Sequence, residues 1–364
     1  MADSGRGTVL VVGASGLVGA AAVEAFGEDG WDVVAVSRRA PEVDVPVRHL
    51  PLDLRDAAAC ATAAADLRAV THVVYAAVHE KPGLVAGWSD EDQMQTNLAM
   101  LRGLLHPLSE AADLQHVTLL QGTKAYGVHR HPIRVPARER EPRDPHPNAY
   151  WLWEDHLRAL ADRRGFAWTV LRPQLVVGPT YGVAMNLPPV IGVFAALCRE
   201  EGRPFGFPGG LPYVTEAVDA RLVARAALWA ASAPQAWAEH FNLTNGEVFA
   251  WRDLWPALAK VLGVEPGPDE PVRLGEWLPA RAALWDEIVA KRGLRPLPLA
   301  QVLGESHHYA DFHFAHGARR TPPPAFLSTV KVKQAGFVDV MDTEQSFCHW
   351  LSMLIERRVV PGPR

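Results

Sequence analysis

Thr8-Val-Leu-Val-Val12-Gly13-Ala-Ser15-Gly16-Leu17-Val18-Gly19 is the stretch that decides the fold. Its first five residues are apolar or β-branched without alternation, the pattern of a strand buried on both faces of a parallel sheet. Three glycines then recur at every third position, and a helix is predicted over 20–27. Between a strand and a helix, glycines so spaced let backbone approach a pyrophosphate while the helix N-terminus faces its charge. Gly13, Ser15, Gly16, Leu17, Val18 and Gly19 are therefore candidate phosphate contacts.

Outward from this turn, short apolar runs at 32–37, 72–77 and 116–120 alternate with a helical stretch at 92–112. Strand and helix in alternation predict a doubly wound parallel sheet, a Rossmann fold of class α/β. A further strand is expected over 166–177, followed by Gly178-Pro179, after which Pro and Gly become frequent. A helix at 218–231, a strand at 240–243 and a helix at 251–262 follow. The organisation predicted is an NADP-binding core over 1–180, a cap segment over 181–217, a return to the core over 218–247, and mainly substrate-binding cap over 248–364. The smaller cap is thus interleaved with the core. Residues 264–271 and 322–324 are Pro-rich and expected as loops.

At 364 residues the chain can bury a large interior unaided, so nothing requires oligomerisation, and a homodimer stays open. A net charge of −5, spread along the chain, argues against nucleic acid or an anionic membrane as partner and leaves a small molecule. Cys60, Cys198 and Cys348 form no disulfide or CxxC pattern, which suits the cytoplasm. The N-terminal run has Asp3 before it and a glycine turn after it, unlike a signal peptide. The apolar run 187–198 is too short to span a bilayer. Most of the twelve tryptophans are expected in the core.

An enzyme using NAD would carry an acid at the end of the second strand, to accept hydrogen bonds from the ribose. Ser37-Arg38-Arg39 stands there instead, and two guanidiniums beside a hydroxyl suit a 2′-phosphate. The cofactor expected is NADP/NADPH. Asp53-Leu54 and Ala76-Ala77, at strand carboxyl ends, are further candidates to lie along it.

A short-chain dehydrogenase usually carries Tyr-x-x-x-Lys, whereas Tyr150 is followed four places on by Glu154, and Gly122 stands about where the usual serine would be. A lysine displaced to Gly122-Thr-Lys124-Ala-Tyr126, together with Asn148-Ala-Tyr150-Trp-Leu-Trp-Glu154-Asp155, resembles the progesterone 5β-reductase and iridoid synthase-like enone reductases. The resemblance runs along nearly the whole chain, through Trp168-Thr-Val-Leu-Arg172-Pro173, Met185-Asn186 and Phe241-Asn242-Leu-Thr-Asn245-Gly246. It implies that Tyr150 and Lys124 are the catalytic pair, that Gln121 and Val176 contact the nicotinamide half of NADPH, and that Tyr150 and Pro173 also bind the cofactor. Trp151 stands in place of a second tyrosine, Ala125 in place of a histidine, and the loop between Lys124 and Tyr150 is shorter than in those relatives.

The function this implies is NADPH-dependent reduction of the C=C bond of an enone or enal. A tyrosine hydroxyl, with an ordinary pKa of about 10, is a donor at neutral pH. Reduction of a ketone or aldehyde, epimerisation of a sugar nucleotide, or a non-catalytic NADP-binding regulator are the alternatives. Tyr126, Trp151, Tyr181, Phe205 and Tyr213, with Trp88, are candidate substrate-pocket residues. His307, His308, His313 and His316 lack the cysteine or acidic pair that would complete a metal site, so no metal is expected. His129-Arg130-His131 could contact an anionic substrate group, but a solvated loop is the expectation.

Overall fold

The computed structural model describes residues 6–81, 88 and 90–363. β1 (Thr8–Val12) is buried at all five positions. Among the described residues it lies within a sheet of seven strands, ordered β10 (Glu239–Leu243), β6 (Ala167–Pro173), β5 (His116–Leu120), β4 (Val70–Tyr75), β1, β2 (Asp32–Ser37) and β3 (Arg48–Pro51). Every pairing is parallel, with Val12 opposite Val36 on one side and Tyr75 on the other. The strand order reverses between β1 and β4, the crevice where such sheets hold ligands. This is the doubly wound Rossmann sheet that the sequence predicts. α1 (Leu17–Glu28) packs with α6 (Ala220–Ser232), while α2 (Ala57–Ala65), α3 (Glu91–Ala111) and α4 (Ala149–Arg164) pack on one another.

The chain divides into two units. The first holds Met1–Gln174, Ala220–Thr244 and Leu327–Asp339; the second holds Leu175–Asp219, Asn245–Phe326 and Val340–Arg364. The strand expected over 166–177 breaks where the units meet in sequence: β6 ends at Pro173, Leu175 takes a left-handed φ of 31°, and β7 (Val176–Val177) pairs with β9 (Val218–Asp219). Within the span read as mainly cap, Leu327–Asp339 returns to the first unit, where Ser328 N–H donates to the Ala137 carbonyl and Lys331 pairs with Glu239. In the second unit, α5 (Leu187–Glu200) is buried at every position from Leu187 to Cys198, with Pro188-Pro189 in its first turn where missing N–H groups cost nothing. No helix among the described residues is long and apolar enough to cross a membrane.

Candidate active site

The glycine turn is built by close approach. Gly13 has a φ of +84°, and a Cβ there would lie 2.7 Å from the Ala77 nitrogen; a Cβ on Gly19 would lie 2.1 Å from the Gly13 carbonyl. Helix α1 starts at Leu17, three residues earlier than the sequence suggests, and its N-cap Gly16 offers no side chain to the first-turn amides. Those N–H groups have no intrahelical acceptor. Among the described residues a Cβ on Gly16 would meet only the Gly13 carbonyl, so the outer face of the turn is open.

At the end of β2 the Ser37 hydroxyl donates to the Arg39 carbonyl at 2.6 Å, and His49 Nε2 lies 3.1 Å from the Ser37 carbonyl. The serine shapes the turn, and Arg38 and Arg39 are left exposed. Asp53 is taken up by Arg55, which donates from its backbone at 3.0 Å and from its guanidinium at 2.6 Å, and the Asp53 carboxyl is lowered to about 2, chiefly by those hydrogen bonds. Arg38 adds to that lowering.

Lys124 stands on a single 3₁₀ turn, Thr123–Tyr126, directly after β5, and Tyr150 in the first turn of α4. One asparagine joins them: Asn148 caps α4 by accepting from Tyr150 N–H at 3.0 Å and donates to the Lys124 carbonyl at 2.9 Å. Both side chains meet Trp88. The Lys124 ammonium lies 4.2 Å from the centre of its ring, and the Tyr150 ring packs edge-on at 5.1 Å. A Cβ on Gly122 would come within 3.3 Å of the Tyr150 hydroxyl, so the glycine gives that hydroxyl its room.

Glu80 completes the corner. Its Oε1 accepts from Trp88 Nε1 at 3.1 Å. Burial pushes the Glu80 carboxyl up, against Lys124 and the Trp88 hydrogen bond. Burial pushes Lys124 down, against the Glu80 charge. The backbone around Glu80 is pinned from α3: Asn97 bonds both the N–H and the carbonyl of His79 at 2.8 Å, and Gln93 accepts from Lys81 N–H at 2.7 Å. Nothing in the sequence reading pointed to Glu80. The motif signal lies in the glycine and lysine segments, and His79-Glu80-Lys81 carries none.

A model described as the NAD dependent epimerase/dehydratase family matches residues 9–244. The (S)-8-oxocitronellyl enol synthase of Catharanthus roseus is 30% identical over 98% of this chain and 93% of its own length. A second such synthase, from Camptotheca acuminata, is 30% identical over 98% and 94%. The chain belongs to this family.

Within the epimerase/dehydratase family it lies in the progesterone 5β-reductase and iridoid synthase-like branch, and it is an enzyme of an NAD(P)-dependent group. UDP-glucose 4-epimerase from Thermotoga maritima, solved with UDP-glucose, shares its fold with a TM-score of 0.67 at 18% identity, over 97% of this chain and 99% of that one. The Bifidobacterium longum epimerase, solved with NAD+ and UDP, gives 0.66 at 17%, over 96% and 98%. The residues present fit a dinucleotide. The glycine turn has no space for side chains on its inner face, its outer face is open, and the uncapped amides of α1 can take a diphosphate.

The family's usual lysine position is Glu154, and its surroundings account for the change. Glu154 is 2% exposed and paired with Arg143 at 2.7 Å, His240 at 3.0 Å and Arg172 at 3.4 Å. Burial works to raise its carboxyl, and His240, Arg143 and Arg172 together overcome this and hold it well below the carboxylate range. Gln121, expected beside the nicotinamide, has its side chain inside this cage: it donates to the Tyr150 carbonyl at 3.1 Å and accepts from Arg172 Nε at 2.9 Å. Trp151 lies under the Arg143 guanidinium at 4.9 Å, and Tyr126 donates to Asn242 Oδ1 at 2.7 Å. Pro173 ends β6, with its carbonyl 3.5 Å from where a Gly122 Cβ would stand.

The second unit holds Val176 and the remaining expected pocket residues. Val176 is paired with Val218 on β7, Tyr181 lies under Arg295 at 5.5 Å, and the Tyr213 hydroxyl donates to the His313 carbonyl. Phe205 corrects the sequence expectation of a pocket wall. It is fully buried and stacked on Trp255 at 4.5 Å beside Phe194, so it has no face free for a ligand. Its Pro- and Gly-rich surroundings gave the look of a pocket loop.

Proposed function

We propose that this enzyme reduces the C=C bond of α,β-unsaturated ketones or aldehydes with NADPH. The observation that carries this reading is the meeting of Lys124 and Tyr150 on Trp88, with Gly122 leaving room at the tyrosine hydroxyl and a buried glutamate where carbonyl-reducing relatives keep a lysine. Bound NADPH supplies a hydride to the β-carbon of the substrate, which leaves negative charge on the carbonyl oxygen. Tyr150 donates a hydrogen bond to that oxygen, and the Lys124 ammonium stabilises the charge as it grows. Glu80 opposes the effect of burial on Lys124, and so helps keep it charged. The proton at the α-carbon comes from water.

The relatives' name, an enol synthase, describes a product of this kind. Arg38 and Arg39, exposed with no acid between them, suit the 2′-phosphate that distinguishes NADPH. Protonation of an alkoxide, as ketone reduction requires, needs a relay that the Tyr-x-x-x-Lys lysine would have served, and Glu154 in its cage is no substitute. The test is product identity with NADPH and, separately, NADH, on a panel of cyclic enones, enals and saturated ketones. Saturated ketones and aldehydes formed with NADPH are expected. Allylic alcohols, or a preference for NADH, would overturn the reading.

A further inference from the structure

Arg38 and Arg55 both stand where β2 and β3 end, and Arg55 is committed to a carboxylate. The strands stay paired to Ser37 and Pro51, and Leu52 N–H donates to the Ser37 carbonyl at 3.3 Å, so Arg38 and Asp53 leave the sheet side by side. The glycine turn is tied to the same edge, because Gly13 N–H and Ala14 N–H both donate to the Val36 carbonyl, at 2.8 and 3.1 Å. Arg55 then folds back over Asp53. Its backbone N–H and its Nε each donate to Oδ1 at 3.0 Å, and its Nη2 to Oδ2 at 2.6 Å, so one guanidinium fork covers both carboxylate oxygens.

The pair faces water, with the side chains of Arg55 and Asp53 49% and 38% exposed, and an exposed ion pair adds little to stability. Its consequence is electrostatic. An open carboxylate beside Arg38 would offset that arginine's charge and repel a phosphate, and it would accept hydrogen bonds from ribose hydroxyls, as the acid of an NAD site does. Covered by Arg55, it does neither. Arg38 still acts across the gap: its field helps Arg55 hold the Asp53 carboxyl at about 2, and after burial the fields of Arg55 and Arg38 do most to push His79 down. The next acid, Asp56, is taken up in capping α2, where it accepts from Ala59 N–H at 2.9 Å.

We infer that Arg55 is a specificity-determining residue, which masks the Asp53 carboxylate and so favours a dinucleotide carrying a 2′-phosphate over one with a free 2′-hydroxyl. The inference rests on the NADPH reading for its ligand, but its measurement needs no turnover. Calorimetry would compare binding of NADP and NAD, which differ only in that phosphate, at low and at high salt. The proteins compared are the wild type, Arg55→Ala, Asp53→Asn and the variant carrying both changes.

The wild type is expected to bind NADP more tightly than NAD. Arg55→Ala bares the carboxylate and should lower the ratio of the two affinities about fivefold at low salt, and by less at high salt. The doubly changed protein, in which the two positions carry no net charge, as in the wild type, regains the ratio, and Asp53→Asn keeps or raises it. A ratio unchanged in Arg55→Ala would overturn the inference. So would a doubly changed protein as poor as Arg55→Ala, because Arg55 would then grip the phosphate itself. A wild type that prefers NAD, with the ratio still falling in Arg55→Ala, would instead sink the NADPH reading and leave the masking of Asp53 standing.

Discussion

Glu154 and Glu80 are both withdrawn from water in the first unit, and their surroundings push them in opposite directions. Glu154 has two guanidiniums and an imidazole against it and is held low. Glu80 has one indole N–H and the field of one lysine and is pushed up. A carboxylate whose partners outweigh its burial fixes the fold, tying α4 to the strands beneath. One whose partners do not outweigh it is available to tune a neighbour. The four-residue step from Tyr150 therefore ends in a cage that ties the fold together, and in the proposed reaction the charge that tunes Lys124 comes from another loop.

The comparison breaks most visibly at Glu154. Glu154→Lys would restore Tyr-x-x-x-Lys in sequence while placing a third cation against Arg143 and the 5%-exposed Arg172. Denaturant unfolding is expected to show a loss of roughly 3–5 kcal/mol for this variant or for Glu154→Ala, because a buried guanidinium loses its partner. Stability that is unchanged would mean the cage is not structural. Since the folded Glu154 carboxyl is depressed, its contribution is present above the ordinary carboxylate range and lost as pH falls through it and below, a slope that urea titrations between neutral and acid pH would detect.

A smaller effect is expected at Glu80. Removing its charge in Glu80→Gln leaves burial unopposed on Lys124, whose ammonium is then lost at lower pH. The alkaline limb of the kcat/KM profile should move to lower pH by about one unit, with Glu80→Asp between the two. A uniform fall with the same profile would mean Glu80 only holds Trp88 in place.

The mildest is Arg38→Ala, which should raise KM for NADPH about tenfold and leave NADH nearly unaffected. Equal effects on both cofactors would remove the 2′-phosphate argument.

What could be read in the sequence is what neighbours in sequence determine. The run 8–12, the glycine spacing and Ser37-Arg38-Arg39 each carry their physics within a few residues, so the sheet and the turn followed directly. Lys124 and Tyr150 enter the proposed site through the resemblance, and the structure brings both onto Trp88. Glu80 was not legible, since its place is set by Asn97 and Gln93, 17 and 13 positions on. Nor was the burial of His129, which depends on Asp144 and His146. The return of Leu327–Asp339 rests on contacts with Ala137 and Glu239, and Phe205 on an aromatic cluster formed with Trp255. Long-range packing decides such cases.

The central claim is that Tyr150 and Lys124 stabilise the same oxygen, and a double-mutant cycle tests it most directly. kcat/KM for enone reduction with NADPH would be measured in Tyr150→Phe, Lys124→Ala and the double variant. Each single change is expected to lose about 10²–10³-fold, with the double variant little worse than the poorer single one, because groups acting as a unit are not additive. Single variants that keep full activity, or losses that multiply in the double variant, would contradict the account.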